Sequence, residues 1–215
     1  MFKSIIKYLG YLVLVIGVSS AKAGVYEDYF KAVTFNDAGA VQGLLARGFD
    51  PNSRDEKGQT ALYLAMREGS FKVADVLLSH PDMRQDLLNS AGESALMMAA
   101  LKGHLDWVKR LLDRGARIEG LEPLAWTALH YAATGPEPQT VQVLLARGAK
   151  VDARSPNGST PLMMAARYGA EPAVDQLLQR GADAKLKNDA SITAADFAQM
   201  AGRESLARRL ARAAQ

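Results

Sequence analysis

Thr60-Ala61-Leu62-Tyr63-Leu64-Ala65 returns four times along the chain, and this return decides the fold. It comes back as Ser94-Ala95-Leu96-Met97-Met98-Ala99, as Thr127-Ala128-Leu129-His130-Tyr131-Ala132 and as Thr160-Pro161-Leu162-Met163-Met164-Ala165. A worn copy closes the series at Thr193-Ala194-Ala195-Asp196-Phe197-Ala198. The leading residues are 34, 33, 33 and 33 positions apart. Self-similarity on so regular a period marks a chain built from stacked supersecondary units.

A second marker keeps the same time. Leu44-Leu45, Leu77-Leu78, Leu111-Leu112, Leu144-Leu145 and Leu177-Leu178 each close an apolar segment, and Gly48, Gly115, Gly148 and Gly181 follow four of them. Glycine just past a helix suits a left-handed terminating residue. Between the markers, every unit has the same parts. A turn such as Pro156-Asn157-Gly158 precedes a threonine placed to cap a short helix, with proline or alanine next. A second glycine turn follows, at Gly69, Gly103 and Gly169. The next helix, for example Leu105 to Leu112, has apolar residues at spacings of three and four, which gives one buried face.

The T-P-L-x-x-A core, the pair Gly103-His104 and the L-L-x-R-G-A closure resemble the ankyrin-repeat family over residues from about 26 to 215. The resemblance implies an all-α solenoid of about six helix-turn-helix units with hairpin-like loops. The expected units are 26–54, 55–88, 89–121, 122–154, 155–187 and 188–215 within a repeat domain of residues 24–215. One unit cannot bury its own apolar face, so stability comes from stacking on neighbours, and worn outer units read as solvated caps.

Residues 1–23 differ in kind. Lys3 and Lys7 precede the uncharged run Tyr8 to Val18, and the small residues Ser19, Ser20 and Ala21-Lys22-Ala23 follow. That order predicts a secretory signal cleaved after Ala23, with cleavage after Ala21 as the competing register. The apolar run spans roughly 16 Å as a helix, against about 30 Å of hydrocarbon, so no membrane attachment is expected after cleavage. The segment also holds three of the 26 basic residues and none of the 23 acidic ones, which leaves the remainder neutral at 23 of each. A neutral chain lacks the surplus of Lys and Arg that phosphate binding requires, so nucleic acid is excluded as a partner. The chain has no cysteine, which removes disulfides, thiolate metal sites and a cysteine nucleophile. A bacterial-style signal and no disulfides point to the periplasm. By a eukaryotic secretory route, Asn157-Gly158-Ser159 would be a glycosylation sequon.

No nucleophile elbow, zinc-protease motif, phosphate loop or dinucleotide fingerprint occurs, and no catalytic residue, cofactor or metal site is assigned. His104 and His130 fall on repeat positions where the family's histidines bond to backbone. Met97, His130 and Met163 would form a ladder about one helix-packing distance apart, too widely spaced for one ion. Met98, Tyr131 and Met164 read as core filling. Most carboxylates read as solvated, in turns and on outer helix faces, and no convergent polar pocket is expected.

Function is therefore expected at positions the repeat leaves free, by resemblance the hairpin tips and the ends of the first helices along a concave face. The fourth hairpin, Leu121-Glu122-Pro123-Leu124-Ala125-Trp126, lacks the polar turn of its neighbours. Leu101, Leu124, Trp126, Arg167, Tyr168 and Ile192 are the expected partner-binding residues, with Leu124 and Trp126 joining Leu101 and Tyr168 in one apolar strip. The alternative is that Trp126 folds back over the adjacent hairpin. The expected protein is a monomeric, non-enzymatic, periplasmic binder of another protein. Resemblance to small periplasmic repeat proteins leaves open an immunity protein against a secreted toxin or an accessory to a catalase. A metal-handling protein and a self-associating module are the alternatives of another class.

Overall fold

The computed structural model describes residues 24–120 and 125–215. The expected signal segment and Leu124 lie outside the described residues. Among the described residues twelve helices follow one another in pairs. They are α1 (24–34), α2 (Ala38–Ala46), α3 (Ala61–Glu68), α4 (Phe71–Ser79), α5 (Ala95–Lys102), α6 (Leu105–Asp113), α7 (Ala128–Thr134), α8 (Pro138–Ala146), α9 (Pro161–Tyr168), α10 (Glu171–Gln179), α11 (Ala194–Met200) and α12 (Glu204–Ala213). No strand occurs among the described residues, and Arg54 and Thr60 form an isolated antiparallel bridge at the base of one hairpin. The odd-numbered helices from α3 stack into an inner row, and the even-numbered ones lie behind them as an outer row.

The recurring residues explain each helix start. The hydroxyls of Thr60, Ser94, Thr160 and Thr193 accept from the backbone N–H three residues on. The reverse bond uses whatever acceptor the unit supplies. Met97 Sδ takes the Ser94 N–H at 3.4 Å, Met163 Sδ that of Thr160 at 3.3 Å, and Asp196 Oδ2 that of Thr193 at 2.8 Å. In the fourth unit His130 Nδ1 does the same for Thr127 at 3.2 Å. The methionine–histidine ladder therefore points inward to satisfy helix starts.

Gly48, Gly115, Gly148 and Gly181 all have φ between 84° and 91°, the left-handed closure that the spacing predicts. Gly169 is required for a different reason. Its φ of −84° suits any residue, but an added Cβ would sit 2.1 Å from the Ala133 carbonyl oxygen of the neighbouring inner helix. Close backbone approach sets the tight inner row.

Neighbouring units also clasp one another at the turn between paired helices. Ser70 Oγ donates to Thr34 O at 3.3 Å, and His104 Nε2 bonds to Met66 O at 3.0 Å. Arg203 Nη1 reaches the carbonyls of Ala165, Ala166 and Gly169 at 2.9–3.0 Å. Each turn residue thereby satisfies the open C-terminal end of the preceding inner helix. One apolar core runs the length of the stack, with Leu62, Leu96, Leu129 and Leu162 at the same inward position of successive inner helices.

Candidate functional site

The hairpins of the second, third, fifth and sixth units share one device. A side-chain oxygen five residues before the cap accepts from the backbone across the turn. Asp55 Oδ1 takes the N–H groups of Lys57 and Gln59, Asn89 Oδ1 those of Ala91 and Glu93, and Asn188 Oδ1 those of Ala190 and Ile192. In the fifth unit Ser155 and Asn157 divide the task, both reaching Ser159 N. Asn157 Oδ1 is thus engaged and Ser159 is fully buried, so the sequon residues are structural parts of this turn. With three of these tips so fixed, Gln59, Glu93 and Ile192 just before their caps sit half-buried at the edge of the inner face, Trp126 at the same register is exposed, and Ser159 is buried.

Three of those units are joined by a polar bridge. Glu93 Oε1 accepts from the Tyr131 hydroxyl at 2.7 Å, and Oε2 accepts from the Tyr63 hydroxyl at 2.7 Å and Asn89 Nδ2 at 2.9 Å. Burial alone would push the Glu93 carboxyl up, but the bonds from Asn89, Tyr131 and Tyr63 outweigh it and hold the carboxyl below its ordinary range. Burial first, and then the Glu93 carboxylate, push both tyrosine hydroxyls up. This corrects two expectations. Tyr131 does not merely fill core, because its half-buried ring carries a hydroxyl across a unit boundary, and Glu93 is no solvated carboxylate. A convergent polar cluster does exist on the inner face. Its sequence signal is tyrosine at positions where other units carry Met, Leu or His, flanking a Glu before the cap.

Trp126 precedes the cap of the fourth inner helix. Its ring centroid lies 5.2 Å from that of His130 and 6.2 Å from that of Tyr131, both edge-on, and the residue remains 37% exposed. It thus leans on its own helix. Beneath it His130 is fully buried. Nδ1 accepts from Thr127 N, so Nε2 carries the proton and donates to Ser159 O at 3.1 Å in the next unit. Burial pushes the imidazole down to about 4 and keeps it neutral. Both inner histidines bond to backbone, as the resemblance implies.

The other expected contact residues sit elsewhere. Leu101, Arg167 and Tyr168 occupy the C-terminal ends of inner helices, whereas Trp126 and Ile192 lie just before their N-termini. A helix of this length rises about 10 Å from one end to the other. Trp126 and Tyr168 thus sit at opposite ends of the inner helices, and Leu124 of the expected strip lies outside the described residues. Tyr168 is 60% exposed, with the Arg167 guanidinium 5.1 Å above its ring and 5.6 Å from that of Phe197. Met200, the counterpart of Arg167 in the last unit, is also exposed. Half-buried Leu101 and Ile192 pack against the core. Among the described residues no three His, Asp or Glu side chains are grouped to hold a metal ion.

A feature without a sequence signal lies at the first unit. A groove of about 720 Å³ runs between α1 and the second hairpin, lined by Tyr26, Phe30, Phe35 and Leu64 among charged neighbours, with Phe35 80% exposed.

The family model for ankyrin repeats, in three copies, matches residues 30–122 and 116–188. Tankyrase, a poly [ADP-ribose] polymerase from Caenorhabditis elegans, is 39% identical over 72 residues, which are 32% of this chain and 3% of that protein. The NF-kappa-B inhibitor alpha of Rattus norvegicus is 33% identical over 97 residues, 43% of this chain and 31% of the relative. The chain thus spans less than a third of either relative. Among solved structures, a chain of the complex between a predatory endopeptidase from Bdellovibrio bacteriovorus and an immunity protein superposes with a TM-score of 0.72 at 29% identity. That match covers 86% of this chain and 97% of the other. Ankyrin repeats are protein-binding modules, and this chain belongs to the ankyrin-repeat family.

Proposed function

We propose that this chain is a non-enzymatic, monomeric binding module that acts in the periplasm and holds another protein along its inner face and hairpin tips. One observation carries the reading: Trp126 and Tyr168 stay exposed at the two ends of the inner helices, and among the described residues Val25, Phe35 and Met200 are the only other large apolar residues so exposed. Aromatic side chains offer large contact area at low entropic cost, which is why they anchor protein interfaces. The periplasmic part rests on the signal-like order of residues 1–23.

The experiment is affinity capture from periplasmic extract with the mature protein beside a folded Trp126→Ala, Tyr168→Ala double variant. The reading expects one protein retained by the native form and lost with the variant. Equal retention by both would place the site elsewhere on the molecule. Cell fractionation tests the compartment, and a mature form found only in the cytoplasm would overturn it.

A narrower reading, an immunity protein that restrains a secreted lytic enzyme, is favoured by one finding. The solved complex that this fold matches along nearly its whole length pairs an endopeptidase with an immunity protein. On this reading the captured partner is a hydrolase, and one equivalent of the mature chain abolishes its turnover. A captured catalase with undiminished activity would instead favour the accessory role.

A further inference from the structure

We propose that Glu93, Tyr131 and Trp126 form a subsite for a cationic side chain, an arginine or lysine presented by the partner; this rests on the reading that a partner lies along the inner face. Tyr131 ties the cluster together, with its hydroxyl on Glu93 Oε1 at 2.7 Å and its ring 6.2 Å from that of Trp126. Glu93 and Trp126 hold the same register, just before the cap, in adjacent units.

A carboxylate offers about four lone-pair positions. Oε2 serves two donors, Tyr63 and Asn89, but Oε1 serves Tyr131 alone. The acceptor capacity left over is therefore on the oxygen that Tyr131 serves, and the Tyr131 ring is the one beside Trp126. A partner's N–H donor would complete it, whereas an anion would be repelled and an apolar group would leave it unserved. The nearby guanidinium of Arg67 is already engaged, with Glu68 at 2.6 Å and Gln59 at 2.7 Å.

The rings point to the same chemistry. Elsewhere the protein covers aromatic faces with its own guanidinium groups, Arg110 over Trp107 at 4.0 Å and Arg167 over Tyr168 and Phe197. Among the described residues no cation lies over Trp126 or Tyr131. An exposed indole beside a carboxylate kept ionised offers a cation both π-face and charge.

The test titrates the ¹⁵N-labelled mature chain with an N-acetyl-arginine amide probe and with its citrulline counterpart, which is uncharged and nearly the same shape. The Trp126 indole N–H, assigned through Trp126→Phe, reports binding. A saturable millimolar shift is expected with arginine and none with citrulline, and Glu93→Gln should weaken it roughly tenfold. Equal shifts from both probes, no saturable shift, or an unchanged affinity in folded Glu93→Gln would each overturn the subsite. Failure of the binder reading looks different: the native chain then captures no partner, whatever the arginine titration shows.

Discussion

Tyr131 donates its hydroxyl to Glu93 at 2.7 Å from the far side of a unit boundary, and Tyr63 does the same from the unit before. One carboxylate thus bridges three successive inner helices. Hydrogen bonds to a charged, half-buried acceptor contribute about 1.5–3 kcal/mol each. Tyr131→Phe and Tyr63→Phe should therefore each lower the melting temperature by several degrees, at about 2–4 °C per kcal/mol for a chain of this size. Their combination should depart from additivity by at least about 0.5 kcal/mol, because they share a partner. A thermal double-mutant cycle checks this, and strictly additive losses would show that Glu93 does not couple them.

His130 predicts a pH dependence with a definite sign. Its folded value is pushed down to about 4 by burial, against an ordinary value of 6.5, so the unfolded chain binds the extra proton first. Stability is therefore complete above about pH 6.5 and falls as the pH drops toward 4, by about 3 kcal/mol at the lower end for this group. Met97 and Met163 hold the equivalent place in other units and make the same cap bond through sulfur. His130→Met should lose the Ser159 bond and be less stable at neutral pH, but its decline between pH 6.5 and 4 should be shallower. Denaturant midpoints across that range decide the matter, and parallel declines would contradict it.

Two glycines separate packing from backbone conformation. Gly169→Ala would put a methyl 2.1 Å from the Ala133 carbonyl oxygen at an ordinary φ, so its whole cost is steric. It should exceed about 2 kcal/mol and loosen the α7–α9 contact. At Gly115 an added Cβ meets nothing within 4 Å, but the φ of 84° is left-handed. Gly115→Ala should cost only about 1–2 kcal/mol. Equal costs in urea melts would mean that close approach of the inner helices is not what Gly169 protects.

The repeat period, the caps and the left-handed closures were legible because each depends on residues near in sequence, and Thr160, Met163 and Gly181 act where the pattern puts them. Histidine roles followed from repeat position. The Glu93 bridge did not, because its bonds cross 30 and 38 residues and depend on where each hydroxyl ends. The spread of the expected strip along the helices was hidden for a related reason. Sequence register puts Trp126 and Tyr168 on one face but leaves out the length of the helix between their two levels. Phe35 had no signal because its exposure depends on how the first unit's turn projects beyond α1.

The most direct test of the central claim is the affinity of the captured partner for three purified forms, measured by calorimetry. These are the native mature chain, the inner-face variant Trp126→Ala, Tyr168→Ala, and an outer-face variant, Lys72→Ala, Lys109→Ala, whose residues are exposed on α4 and α6. At least about a tenfold loss is expected for the inner-face variant, and native affinity for the outer-face one. Native affinity in the inner-face variant with a loss in the outer-face one would contradict that claim.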